Sequence, residues 1–83
     1  MNKYPTDGVL FFGGQGLHVI AYDISLAGAV VHSDRLGLLP IDFYITFDDF
    51  ETVARCRLAW RWRDNFGVVI DRWLDLRQRS ASD

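Results

Sequence analysis

The chain has 83 residues, of which 49% are hydrophobic and 24% charged, and its formal net charge is −2. This length predicts one small domain over residues 1–83, and the single cysteine, Cys56, excludes an intrachain disulfide and a cysteine-based zinc site. No secretion signal opens the sequence and no apolar run is long enough to span a bilayer, so we expect a cytoplasmic protein without a membrane span.

The first half of the sequence predicts three short strands joined by tight turns. After a polar arm at residues 1–7, apolar alternation predicts strands at residues 9–12, 17–25 and 29–32. The glycine-rich segment 13–16 is typical of a hairpin loop. No helical pattern and no Lys-Ser/Thr pair follow these glycines, which argues against a nucleotide phosphate loop.

The second half predicts three more strands and a helix. The predicted strands cover residues 41–47, 53–64 and 66–70. The apolar loop at residues 33–40 is expected to lie across the body of the domain or to meet a partner. Asp71 suits the N-cap of a short helix that ends near Arg79. Together these elements predict a mostly β fold, a small six-stranded antiparallel β-barrel with a short C-terminal α-helix.

The fifth predicted strand has the clearest alternation in the chain. One face carries apolar residues and is expected to be core, with Cys56 as a buried, inert thiol. These residues are Cys56, Leu58, Trp60 and Trp62. The other face carries Arg55, Arg57, Arg61 and Arg63. This arginine row is either an anion site or a solvated face paired with aspartates, and the acidic overall balance argues against nucleic acid as a partner.

The turn between the second and third predicted strands carries the candidate site. Asp23 and Ser25 are two residues apart, so in an extended segment their side chains leave on the same face. Gly28 then offers a backbone that something can approach closely. In the functional interpretation, the carboxylate, the hydroxyl and the glycine backbone together form a small polar recognition site. The alternative is structural, because Asp, Ser and Gly commonly shape turns.

The sequence of this turn and of the predicted strands after it resembles that of the PilZ domain family. The run Asp-Ile-Ser-Leu-Ala-Gly at residues 23–28 matches the family's D/N-x-S-x-x-G motif. A Leu-Pro step at residues 39–40, a basic strand at 55–60 and the Phe-Gly-Val run at 66–68 follow in the family's order, and the resemblance covers residues 17–76. It implies a six-stranded barrel with a C-terminal helix that binds the bacterial second messenger cyclic di-GMP. It also implies that Asp23 and Ser25 contact a guanine edge and that Gly28 permits close approach.

The sequence departs from the family in one respect. The family's R-x-x-x-R motif, which precedes the first strand and holds phosphates, has no counterpart in residues 1–7, where Lys3 is the only basic residue. Lysine lacks the bidentate geometry and planar stacking face of arginine. Two functions therefore stand side by side: a cyclic di-GMP receptor, and a degenerate PilZ domain that acts as an adaptor through protein contacts.

Catalysis is not expected from this sequence. It contains no Ser or Cys with a recognisable base, no metal-ligand cluster and no carboxylate pair around a predicted cleft. We therefore predict a signalling module with no enzyme activity, cofactor or metal. A protein partner is expected. Homo-oligomerisation remains open, because a small core gains stability from added buried surface.

Overall fold

The computed structural model describes residues 5–76, which form six β-strands closed into an antiparallel barrel. The strands are β1 (Thr6–Phe12), β2 (Gln15–Tyr22), β3 (Gly28–His32), β4 (Asp42–Thr46), β5 (Thr52–Trp62) and β6 (Asn65–Asp75). Their order around the barrel is β1-β2-β3-β6-β5-β4, and pairing of β4 with β1 closes it. The predicted six-stranded antiparallel β-barrel is therefore confirmed. In the described part of the chain, no helix is long and apolar enough to cross a membrane.

The first hairpin forms where the glycines predicted it. β1 and β2 are joined by Gly13 and Gly14, whose φ angles are 56° and 80°. Positive φ at both central residues is the signature of a type I′ turn, whose twist matches that of the flanking strands. β1 begins at Thr6 rather than at Val9, so part of the predicted polar arm belongs to the barrel.

Apolar side chains fill the barrel interior. The largest fully buried ones include Phe43 and Phe66, whose rings meet edge to face at 6.4 Å. Cys56 is completely buried, and this burial raises the pKa of its thiol to about 12, as expected for an inert cysteine. Because side chains occupy the interior, a ligand of this barrel must bind on the outside or at a rim.

A β-bulge overturns the prediction that Trp60 and Trp62 are core residues. Leu58 pairs with Val68 and Trp60 pairs with Gly67, so Ala59 is an extra residue on β5. One extra residue reverses the alternation of all that follow. Trp60 and Trp62 consequently lie on the outside, with 48% and 65% of their surface exposed.

The predicted C-terminal helix does not form where it was expected to begin. Residues 71–75 continue β6 as a strand, and Asp71 is the extra residue of a second irregularity, opposite the step from Arg55 to Cys56. The Asp71 carboxylate accepts hydrogen bonds from Arg57 instead of capping a helix. The later part of the predicted helix, residues 77–79, lies outside the described residues.

The apolar loop after β3 lies across one end of the barrel. Leu36 and Leu39 pack against the core, while Leu38 is 95% exposed. Arg61 fixes the loop by donating hydrogen bonds to the carbonyl oxygens of Leu36 (2.8 Å) and Gly37. The loop therefore covers the body of the domain, as predicted, and leaves one leucine facing solvent.

Candidate functional site

The three predicted site residues lie on one turn, but they differ in what they can offer a ligand. The turn connects Tyr22 at the end of β2 to Gly28 at the start of β3. The Ser25 backbone N–H donates to the carbonyl oxygen of Gly28 at 2.8 Å, which closes the turn. Asp23 stands at its beginning, in the left-handed region with φ of 51°.

The Ser25 hydroxyl is used within the turn itself. Its oxygen accepts from the backbone N–H groups of Ala27 and Gly28, both at 3.2 Å, and its proton is directed to the Gly28 carbonyl at 3.3 Å. A hydroxyl has one donor and two acceptor positions, so these contacts use all three. Of the two interpretations of Ser25, this geometry supports the structural one.

Gly28 is required by strand packing. A Cβ atom there would lie 2.5 Å from the carbonyl oxygen of Val68 on β6. Gly28 pairs with Val69 in the β3–β6 ladder, so the close neighbour is backbone and cannot turn aside. Glycine at position 28 allows β6 to approach β3 closely, so strand packing accounts for the glycine of the motif.

Of the three predicted site residues, Asp23 is the one whose side chain the turn itself does not use. Its side chain is exposed, and the carboxylate makes no hydrogen bond or ion pair with any residue from 5 to 76. Aspartate tolerates the left-handed conformation better than most residues, because its short side chain adds little steric conflict. The turn therefore presents to solvent a carboxylate that has no partner among residues 5–76.

β6 holds this turn in place. The Ile70 N–H donates to the Ala27 carbonyl at 2.8 Å, and Trp73 Nε1 donates to the Leu26 carbonyl at 3.2 Å. The Leu26 side chain is 84% exposed beside this contact. Trp73 was missed as a site residue because the sequence prediction placed it on a helix. The apolar Trp-Leu pair at residues 73–74 was the sequence feature that indicated a continuing strand.

The chain enters the barrel beside the same turn. Thr6 at the start of β1 pairs with Ala21, two residues before Asp23. β1 therefore begins at the end of the barrel where the turn lies. Lys3 lies outside the described residues.

The arginine row does not form one continuous face. Arg57 pairs with Asp71 through two guanidinium nitrogens at 3.2 Å, and this hydrogen-bonded pairing lowers the pKa of Asp71 and raises that of Arg57. Arg61 is engaged by the loop carbonyls. Arg63 lies over the ring of Trp62 at 5.4 Å. Of the four arginines in the row, Arg55 alone is a solvated cation within the described chain, and it lies opposite Arg72.

Among residues 5–76, no three His, Cys, Asp or Glu side chains are grouped so that they could hold a metal ion. Comparisons with protein-family models, with curated proteins and with solved structures found no match. The functional argument therefore depends on the barrel and on the chemistry of its surface.

Proposed function

We propose that this barrel is a PilZ-type module that binds cyclic di-GMP, with the Asp23 carboxylate accepting from the N1–H and N2–H groups of a guanine base. A carboxylate is an acceptor-only group whose two oxygens suit two parallel donors. The observation that carries the proposal is the exposed Asp23 carboxylate, which has no partner among residues 5–76, on a turn fixed by Ser25 and β6. A fixed turn reduces the entropy that binding costs.

In this proposal Asp23 is the residue of the turn that contacts the ligand. Ser25 and Gly28 then act indirectly, by holding Asp23 in its left-handed conformation.

Calorimetric titration of the full chain with cyclic di-GMP at moderate salt tests the proposal. We expect saturable micromolar binding that disappears in Asp23→Ala and is retained in Asp34→Ala, which removes an exposed carboxylate from the loop after β3. Equal unfolding midpoints would show that both variants are folded. Binding that persists in Asp23→Ala would refute the assignment of Asp23 to the guanine edge, whereas no heat at high protein concentration would refute the messenger function.

The second candidate is an adaptor that acts through protein contacts. Two observations favour it: the Ser25 hydroxyl is saturated within its turn, and several large apolar side chains of the loop after β3 and of β5 face solvent. These side chains are Leu38, Ile41, Trp60 and Trp62. An adaptor should show no heat with cyclic di-GMP. It should bind a purified partner protein, and this binding should be kept in the Asp23→Ala variant and lost in the Leu38→Ser variant.

A further inference from the structure

The barrel is only partly closed between β2 and β3. On one edge, β2 pairs with β1 from Gln15 to Ala21, seven of its eight residues. On the other edge it pairs with β3 only from Ile20 to Tyr22. After His32 the chain leaves the ladder and turns into the loop that covers the barrel end. Residues 15–19 of β2 therefore have an edge that no described strand occupies.

The hairpin geometry identifies the backbone groups on this open edge. In a two-residue type I′ hairpin the residues next to the turn form a hydrogen-bonded pair, and such pairs then alternate. Phe12 and Gln15 are that pair, so Leu17 and Val19 bond to β1. Gly16 and His18 direct their N–H and C=O groups to the other side. Both residues are exposed, and no turn or loop hydrogen bond of the described chain uses their backbone groups.

Two adjoining clefts lie along this edge, and Arg35 lines both. The first has a volume of about 230 Å³ and is also lined by His18, His32 and Asp34. The second has a volume of about 180 Å³ and runs beside Gly16. Each is smaller than the ~300–1,000 Å³ typical of small-molecule sites. Their size suits single side chains of a bound chain.

Arg35 offers both clefts a positive charge for an anionic side chain. The Arg35 guanidinium makes no hydrogen bond or ion pair with residues 5–76. His32 Nδ1 lies 3.0 Å from Asn65 Oδ1 and His18 Nε2 lies 3.0 Å from Asp7 Oδ1, so both rings are oriented by partners. Asp34 is the one carboxylate among the lining residues. Asp34 and Arg35 thus place opposite charges in the first cleft, whereas Arg35 is the only charged residue among those that line the second.

We propose that the open edge of β2 binds an extended acidic peptide from a partner protein. The peptide adds as a strand beside Gly16 and His18, and one of its Asp or Glu side chains pairs with Arg35. Strand addition uses main-chain hydrogen bonds for affinity and side-chain clefts for specificity. A second copy of this chain fits less well, because pairing through the same edge would bring two copies of Arg35 toward one groove. This site is independent of cyclic di-GMP binding at Asp23.

Selection of random ten-residue peptides on the full chain tests the proposal. We expect the enriched peptides to contain Asp or Glu within an alternating strand-type pattern. Affinity measured by fluorescence anisotropy should fall about tenfold or more in Arg35→Gln, since hydrogen bonds between charged groups are worth ~1.5–3 kcal/mol. Arg63→Gln, which removes an arginine from the β5–β6 turn, should leave affinity unchanged. Equal unfolding midpoints of the two variants exclude a folding effect.

N-methylation of the best peptide separates strand addition from simple charge attraction. Methylating the amides that face Gly16 and His18 should abolish binding, whereas methylating the alternate amides should not. Failure to enrich any peptide, enrichment without acidic residues, or equal tolerance of both methylation patterns would overturn the proposal. A concentration-dependent dimer that Arg35→Gln strengthens would overturn it in favour of self-association.

Discussion

The indole ring of Trp60 covers Gly67 on the outside of the barrel, in the space that a side chain at position 67 would fill. The two residues are partners in the β5–β6 ladder, immediately after the bulge at Ala59. The bulge directs Trp60 outward, and the missing side chain at Gly67 gives the ring a surface to contact. A tryptophan that would otherwise be largely solvated is therefore half covered.

Substitution of Gly67 by Ala should destabilise the barrel by about 1–3 kcal/mol, because the added methyl group occupies the position of the indole. Urea denaturation gives the free energy of unfolding. The same substitution made in a Trp60→Ala background should cost clearly less, since the ring is then absent. An equal cost in both backgrounds would mean that the ring and the glycine are not coupled.

The limits of sequence-based prediction here are set by the bulges and by hydrogen bonding within the turn. Gly13 and Gly14 predicted their hairpin, because few residues other than glycine adopt positive φ at low cost. Trp60 and Asp71 were misplaced because a bulge changes the register without any composition signal. Ser25 lies in the turn between β2 and β3, but the contacts that saturate its hydroxyl depend on backbone geometry that alternation does not encode.

Substitution of Gly28 by Ala should destabilise the protein by about 1–3 kcal/mol through conflict with the Val68 carbonyl. Gly37→Ala is the matched control, because no atom lies within 4 Å of the added Cβ and its φ is not positive. Chemical denaturation of both variants measures the difference. If Gly28→Ala were as stable as the control yet lost ligand binding, Gly28 would be a contact residue rather than a packing residue.

The Arg57–Asp71 pair should make stability depend on pH in the acidic range. The hydrogen bond from Arg57 lowers the pKa of Asp71 in the folded state. The stabilisation is therefore present above the unfolded pKa of about 3.9 and is lost as the pH falls through the folded pKa. The difference in free energy of unfolding between the wild type and Asp71→Asn should be constant from about pH 5 to 7 and shrink below about pH 4. Arg57→Gln should remove most of this pH dependence, since Arg55 also lowers the pKa of Asp71.

Hydrogen exchange should reveal the open edge of β2 residue by residue. The amides of Leu17 and Val19 bond to β1 and should be well protected, whereas those of Gly16 and His18 face the unoccupied side and should exchange with little protection. Protection factors from nuclear magnetic resonance, corrected for intrinsic rates, measure this alternation. Equal protection at His18 and Val19 would mean that a second copy or another segment already covers the edge. If the amides of Gly16 and His18 become protected when a selected acidic peptide is added, the peptide is bound as a strand at this edge.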